Sequence, residues 1–379
     1  MKNITLLNLI VLLATSQGFA QSNQFKGQLS GWATVNGKQV DKSQLGMRYL
    51  PELLFEKSIT KVLTISTDIS VNAYGLGQFN GWKKMNTNGR IKPYRLWLRF
   101  ASSQFEARLG LQKISFGSAI LLRPLMWFDR IDPRDPLQIT DGVYALLMRY
   151  YFLNNANVWL WGLYGNDETK GWETIPSEKK KIEFGGRWQM PIPKGEFAIS
   201  YHHREADLKK GMLGQLPLEN ESIPENRLGL DGKWDIGIGL WFEAVMIHQR
   251  ISPPVMKYQQ LMTLGMDYTF GFGNGMHALL ENFIYQTSNT AFGAGENIKF
   301  SALSLNYPIG LIDQVTGMIY YDWKHETWYR FINWQRTYDR WQLFLIGFWN
   351  PEKFQIYQKE GNNNLFAGKG LQVMVVLNY

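Results

Sequence analysis

QFEARLGLQKISFGSAILLRPLMWFDRIDPRDPLQITDGVYALLMRYYF, residues 104–152, begins and ends on alternation and holds an unusual insert between. Phe105, Ala107, Leu109 and Leu111 alternate with Glu106, Arg108, Gly110 and Gln112, and Tyr144, Leu146, Met148, Tyr150 and Phe152 share a face opposite Arg149. A period of two is the side-chain period of a β-strand. The insert carries Ile120, Leu121, Leu122, Leu125, Met126 and Trp127 beside Arg123, Asp129, Arg130, Asp132, Arg134 and Asp135, with proline at 124, 133 and 136. A free surface loop gains nothing from so many apolar side chains. The insert is therefore expected to fold inward, with Leu121, Leu122, Leu125 and Trp127 packed on a wall. The charged residues would then face water or pair with arginines of that wall.

The same alternation recurs along the chain. Leu96, Leu98 and Phe100 oppose Arg95, Trp97 and Arg99; Ile182, Phe184 and Trp188 oppose Glu183 and Arg187; Leu228 and Leu230 oppose Arg227 and Asp231. These runs last roughly nine to thirteen residues, longer than a soluble strand and matched to a tilted strand crossing a bilayer. Apart from the N-terminal run, no stretch is apolar for long enough to span as a helix. With 15 Trp and 18 Tyr the chain is rich in residues that favour a water–lipid boundary. The expected fold is all-β, a transmembrane antiparallel up-and-down barrel of about eighteen strands, or about sixteen if one has been split in two. The insert, at 115–141, would follow the fifth strand on the extracellular side. Other long connections are expected at 75–90, 165–179 and 205–225, and the turn around Lys324 is short where length is expected.

Residues 1–20 have the order of an export signal: Lys2, an apolar run from Ile4 to Thr15, then small residues at Gly18 and Ala20, with cleavage expected before Gln21. The barrel would occupy 21–379. The chain has no Cys, which excludes disulfides and thiolate metal sites, and its formal charge of +8 is no nucleic-acid signature. No metal-ligand cluster or cofactor motif is present. Ser200 and His202 share a strand face, a spacing any strand supplies, and neither G-x-S-x-G nor H-E-x-x-H occurs, so no enzymatic activity is expected.

A barrel explains why arginines sit within apolar alternation. Near the midplane a lipid-facing arginine costs about 2–4 kcal/mol, whereas a wet lumen accepts it. Arg95, Arg99, Arg108, Arg149, Arg187 and Arg227 are candidate lumen-wall residues, as are Arg204 and Lys233, against the acidic Glu106, Glu183, Asp231, Glu243 and Asp267. The excess is basic. The alternative is pairing of opposite charges across strands to stiffen the wall. Lys179–Lys181 and Lys209–Lys210 would lie on the outer rim, as solvated charge or as contacts for lipopolysaccharide phosphates.

The last strand reads Leu371, Val373, Val375, Leu377 and Tyr379 at alternate positions. This resembles the terminal strand of bacterial outer-membrane barrels, which the barrel-assembly machinery recognises. Gly110–Gly117, GLQKISFG, is similar to a G-R-Q-x-I-x-W-G pattern of alginate-export-type and related porin-like barrels, with Leu111 and Phe116 in place of its Arg and Trp. The resemblance implies a Gram-negative outer-membrane location among lipid and lipopolysaccharide. The strand count, the inward charges and the inward-suited insert together point to a channel for small polar or anionic solutes, constricted by Arg123, Trp127, Asp129, Arg130, Asp132, Arg134 and Asp135. The other reading is a barrel plugged by the insert, serving as a homo-oligomer or within an envelope complex.

Overall fold

In a computed structural model, the described residues are 21–37, 43–80, 83–210, 221–251, 256–351 and 366–379. The expected export signal lies outside them. Eighteen strands form one closed antiparallel sheet. They are β1 (Gln21–Asn36), β2 (Ser43–Ser58), β3 (Thr64–Asn80), β4 (Lys83–Ala101), β5 (Phe105–Gln112) and β6 (Val143–Tyr151). There follow β7 (Asn157–Leu163), β8 (Glu183–Ile192), β9 (Gly195–Asp207), β10 (Ser222–Asp235), β11 (Gly239–Gln249) and β12 (Tyr258–Phe270). The last six are β13 (Met276–Ser288), β14 (Glu296–Pro308), β15 (Asp313–Asp322), β16 (Thr327–Thr337), β17 (Trp341–Trp349) and β18 (Lys369–Asn378). Each pairs with its neighbours in sequence, and β1 closes on β18 from Gln28↔Asn378 to Asn36↔Gly370.

Alternation decides which face meets what. Leu109, Leu160, Phe184, Leu228, Leu264 and Ile332 point outward and are exposed, while Glu106, Arg187, Asp231, Glu243 and Glu281 point inward and are buried. An exposed apolar outside with a polar inside is the arrangement of a barrel solvated by lipid. Aromatic pairs mark both rims: Tyr150–Phe152 and Tyr268–Phe270 at one end, Tyr321 with Trp323 and Trp328 at the other. Tyr and Trp settle where one side of the ring is wet.

The outward row Leu371, Val373, Val375, Leu377 and Tyr379 lies on the closing strand. Tyr379 exchanges backbone hydrogen bonds with Gly27, and its hydroxyl meets that of Tyr49 at 2.7 Å.

Two departures from the sequence reading are informative. The expected loop at 75–90 is instead the far end of a long hairpin, β3 with β4. Residues such as Asn86, Thr87, Asn88 and Gly89 are polar on both faces, so no lipid-facing alternation announces them. They pair through backbone alone. The pairing slips at Ser70/Val71, where Pro93 enters the strand, which is where a residue without an N–H is tolerated. The short turn at Lys324 is held by Asp322, whose carboxylate accepts from the Lys324 and His325 amides at 2.9 and 3.1 Å. That Asx-type turn makes a long loop unnecessary.

Candidate functional site: a loop held inside the barrel

The connection from β5 to β6 enters the lumen, as the mixed character of residues 115–141 predicts. The glycines of the GLQKISFG stretch start it. Gly110 has φ +123°, and a Cβ there would run into the Leu96 carbonyl; Gly117 has φ +99° and lies against the Glu243 carboxylate. Only glycine adopts such angles without strain. Between them Gln112 is buried and donates to the carbonyls of Arg108 (3.0 Å) and Ala145 (2.9 Å), while Ile114 is wholly buried.

Two wall glutamates then capture the loop by its backbone. Glu243 on β11 accepts from the amides of Ala119 (2.7 Å) and Leu125 (2.9 Å). Glu281 on β13 accepts from Ile120 (2.7 Å), Leu121 (3.0 Å) and Leu122 (2.6 Å), and from the indole of Trp241 (3.0 Å). Thr263, on the strand between, donates to the Leu122 carbonyl at 2.5 Å. Both carboxylates are inaccessible. A buried carboxylate needs compensation, and here most of it comes from main-chain N–H groups rather than arginines.

Apolar packing completes the attachment. Leu121, Leu122, Leu125, Trp127 and Phe128 join one buried cluster with wall residues such as Leu147, Trp161, Leu261 and Phe283. Phe116 stacks on Trp161 (5.6 Å between centroids) and meets Trp127 and Phe128 edge-on. Farther along, Leu137 packs against a second buried cluster that contains Phe331, Phe348 and Phe366. The loop returns to the wall where Arg95 donates to the Thr140 carbonyl at 3.1 Å.

The charged residues of the loop do not pair as expected. Asp129 is taken by Arg123 (3.2 Å), and Asp132 holds Arg134 in a two-point contact (3.0 and 2.9 Å). Both aspartates are therefore held by arginines of the loop itself, not of the wall, because partners a few residues apart in a compact loop reach each other first. Arg130 donates to Thr169 (2.8 Å), and Asp135 accepts from the Leu137 amide (3.1 Å). Trp127 lies beside His202, 6.0 Å between ring centroids.

The wall arginines are occupied too. Arg99, Arg108 and Arg149 surround Glu106; Arg187 grips Asp231 at 2.6 and 2.8 Å; Arg227 meets Glu225 and Glu173, each at 2.6 Å. The basic excess is thus largely compensated in place. Among the described residues, Arg48 and Arg95 are wall cations with no carboxylate at ion-pair distance. Arg48 lies over Trp32 and Tyr74, and Arg95 over Tyr94.

A second loop, residues 164–182, also turns inward, which sequence reading missed. Trp172 donates to the Arg123 carbonyl (2.8 Å) and stacks on Phe283. Lys170 lies on Glu183 (2.9 Å) and Ser177 (3.1 Å), and Glu173 reaches Arg204 and Arg227. Arg204 in turn holds Glu225 at 2.6 and 3.0 Å. The clue was there: Trp172 and Ile175 among charges repeat in brief the character of 115–141. A void of about 10 Å³ lies between the two loops, lined in part by Trp127, Trp172 and Arg204.

Ser200 and His202 belong to this framework. Ser200 accepts from Arg187 (3.1 Å), and His202 sits between Glu183 (3.2 Å) and the Trp161 indole (3.2 Å). At the rim, Lys179 and Lys210 share Asp167, and Lys209 pairs with Glu221.

Opposite the buried loops, inward polar atoms lack protein partners among the described residues. They include Ser30 Oγ, Thr34 Oγ1, Gln44 Oε1, Asn72 Oδ1 and both ends of the Gln372 amide. They line β18, β1, β2 and β3. Buried polar atoms left without protein partners need water or solute.

No family model matches the sequence, and no curated protein matches it. Solved structures do. Pseudomonas aeruginosa OccD3 (OpdP) superposes with a TM-score of 0.58 at 9% identity, covering 97% of this chain and 93% of that one. Acinetobacter baumannii OccAB1 gives 0.56 at 8% identity over 96% and 98%. An anion-selective porin from Comamonas acidovorans gives 0.51 at 12% identity over 95% and 100%. At such identities fold is what is shared: the chain has the closed antiparallel β-barrel fold of Gram-negative outer-membrane porins.

Proposed function

We propose that this barrel is an outer-membrane diffusion channel for small polar solutes, anions preferred, with the 115–141 loop setting its narrowest passage. The observation that carries the reading is the strip of partnerless polar groups along β18, β1, β2 and β3, facing the stapled loop. A wall built only to pack would not leave those atoms unsatisfied. Arg48 and Arg95, which have no carboxylate at ion-pair distance although Glu52 and Asp68 stand on the same wall, supply the positive field an anion would follow. A solved porin of this fold is described as anion-selective, in keeping with that sign. We assign Arg130 and Asp135 to the loop's water-facing side, and Arg123, Trp127, Asp129, Asp132 and Arg134 to holding its shape. The outward row ending on Tyr379 is suited to recognition by the barrel-assembly machinery. Single-channel recording of the folded protein in planar bilayers tests the function. Discrete conductance steps, with a reversal potential of anionic sign in a salt gradient, are expected; silence from folded protein would sink it.

A second reading has its own observation. Two loops enter the lumen, and Phe366 adds a further apolar contact against Phe331 and Phe348. A barrel filled this way could serve as a closed subunit, alone or with copies of itself, in an envelope assembly. Isolation in mild detergent separates the two readings: a stoichiometric protein partner together with no conductance favours the closed subunit.

A further inference from the structure

On the lipid-facing side of β14–β18 one cross-strand row reads Leu305, Gly317, Ile332, Gly347, Leu371, each paired to the next. Gly317 opens a furrow between Leu305 and Ile332, and Gly347 a shallower one, since a Cβ there would meet Ile332 Cγ2 at 3.1 Å and Leu371 Cδ2 at 3.6 Å. A Cβ on Gly317 would touch nothing within 4 Å, so no packing inside the chain requires glycine there. Glycine within a strand weakens it and often marks close approach by another molecule. Adjacent strands lie about 4.8 Å apart, so removing one side chain from a row opens a slot of roughly one hydrocarbon chain's width. The depression has a volume of about 480 Å³.

The next row toward the extracellular rim is Leu303, Ile319, Arg330, Trp349, Lys369. Arg330 and Lys369 flank Trp349, with Lys369 Nζ 3.8 Å and the Arg330 guanidinium 5.4 Å from its ring centroids. Both cations are exposed, and among the described residues neither has a carboxylate at ion-pair distance. Arg330 lies a few residues below the extracellular end of β16. An arginine placed against lipid is unfavourable unless an anion meets it, and an outward basic pair at this height faces the headgroup layer.

We propose that this surface is a seat for one phosphate-bearing lipid of the outer leaflet, the lipid A portion of lipopolysaccharide. Its phosphate lies on Arg330 and Lys369, and acyl chains lie in the furrows beside Ile332. The chemistry recognised is a phosphate ester carried on saturated hydrocarbon; free phosphate lacks the part that fills the furrows. The seat is on the outer wall, so it stands or falls independently of the channel reading.

The test is native mass spectrometry of the full barrel refolded in detergent and titrated with purified lipid A, with dephosphorylated lipid A and with inorganic phosphate. One lipid A is expected to bind per barrel. Arg330→Gln with Lys369→Gln, and separately Gly317→Leu with Gly347→Leu, should each weaken it by roughly tenfold or more, the scale of a lost charge-assisted contact. Dephosphorylated lipid A should bind the unaltered barrel as weakly as the charge variant binds lipid A, and inorganic phosphate should not compete. Heat-modifiable migration in gels verifies that each variant is folded. Equal binding of lipid A by all folded forms would overturn the proposal. So would a lipid-free barrel that forms dimers or trimers broken by the Leu substitutions, since the furrows would then receive a second copy of the chain.

Discussion

Glu281 is the residue on which most of the loop's position depends. It serves three consecutive loop amides and the Trp241 indole with one side chain. Glu281→Gln keeps the shape but turns an –NH2 toward donors, leaving at least one of them unpaired. Each buried donor left unsatisfied costs about 1–3 kcal/mol. The substitution, and Glu243→Gln likewise, should lower thermal stability and produce noisy, larger conductance in single-channel traces. Quiet traces with an unchanged melt would count against the staple. Glu243 was readable in advance only as one inward acid among several, and Glu281 did not stand out at all. A carboxylate that serves backbone amides leaves no complementary side chain in the sequence to point to it.

The stapled loop is bounded on one side by the wall and on the other by residues 164–182, so it behaves as part of a layered insert. Deleting 120–136 should raise conductance severalfold while the barrel still folds, since strand pairing between β5 and β6 does not involve those residues. Unchanged conductance would remove the loop from the pore. The outer edge of the second loop depends on Asp167, whose carboxyl is held below its usual range by hydrogen bonds from Lys210 and Lys179. A depressed value means that this tie contributes fully above the ordinary carboxylate pKa and is lost as pH falls through the lowered one. Amide protection in 165–181 should therefore drop on acidification, and Asp167→Asn should show that lower protection already at neutral pH; a variant protected like the parent would argue that the tie is idle. The inward fold of 115–141 was legible because its apolar density had no other explanation. The second loop carries the same signal over fewer residues, too few to separate it from an ordinary rim loop.

Across the whole barrel, the strands were legible because lipid enforces alternation on every membrane-spanning segment. Where the sheet leaves the bilayer, as at the tip of β3 and β4, that constraint ends and the strand signal ends with it. Ion preference is also a property of the whole lumen, since most of its charges cancel locally. Arg48→Glu with Arg95→Glu should reverse the sign of the reversal potential in a salt gradient, whereas Arg187→Gln, which breaks a compensated pair, should mainly destabilise. A preference unmoved by the double reversal would place selectivity elsewhere. The staple has one more consequence. Glu243 and Glu281 hold main-chain amides, and any residue but proline offers one. Ile120, whose side chain is exposed although its amide is held, can thus be exchanged without undocking the loop. Mutation can retune the chemistry of that lumen surface while the anchor stays as it was; on the channel reading, descendants of this barrel can change what passes without first inventing a new way to hold the loop.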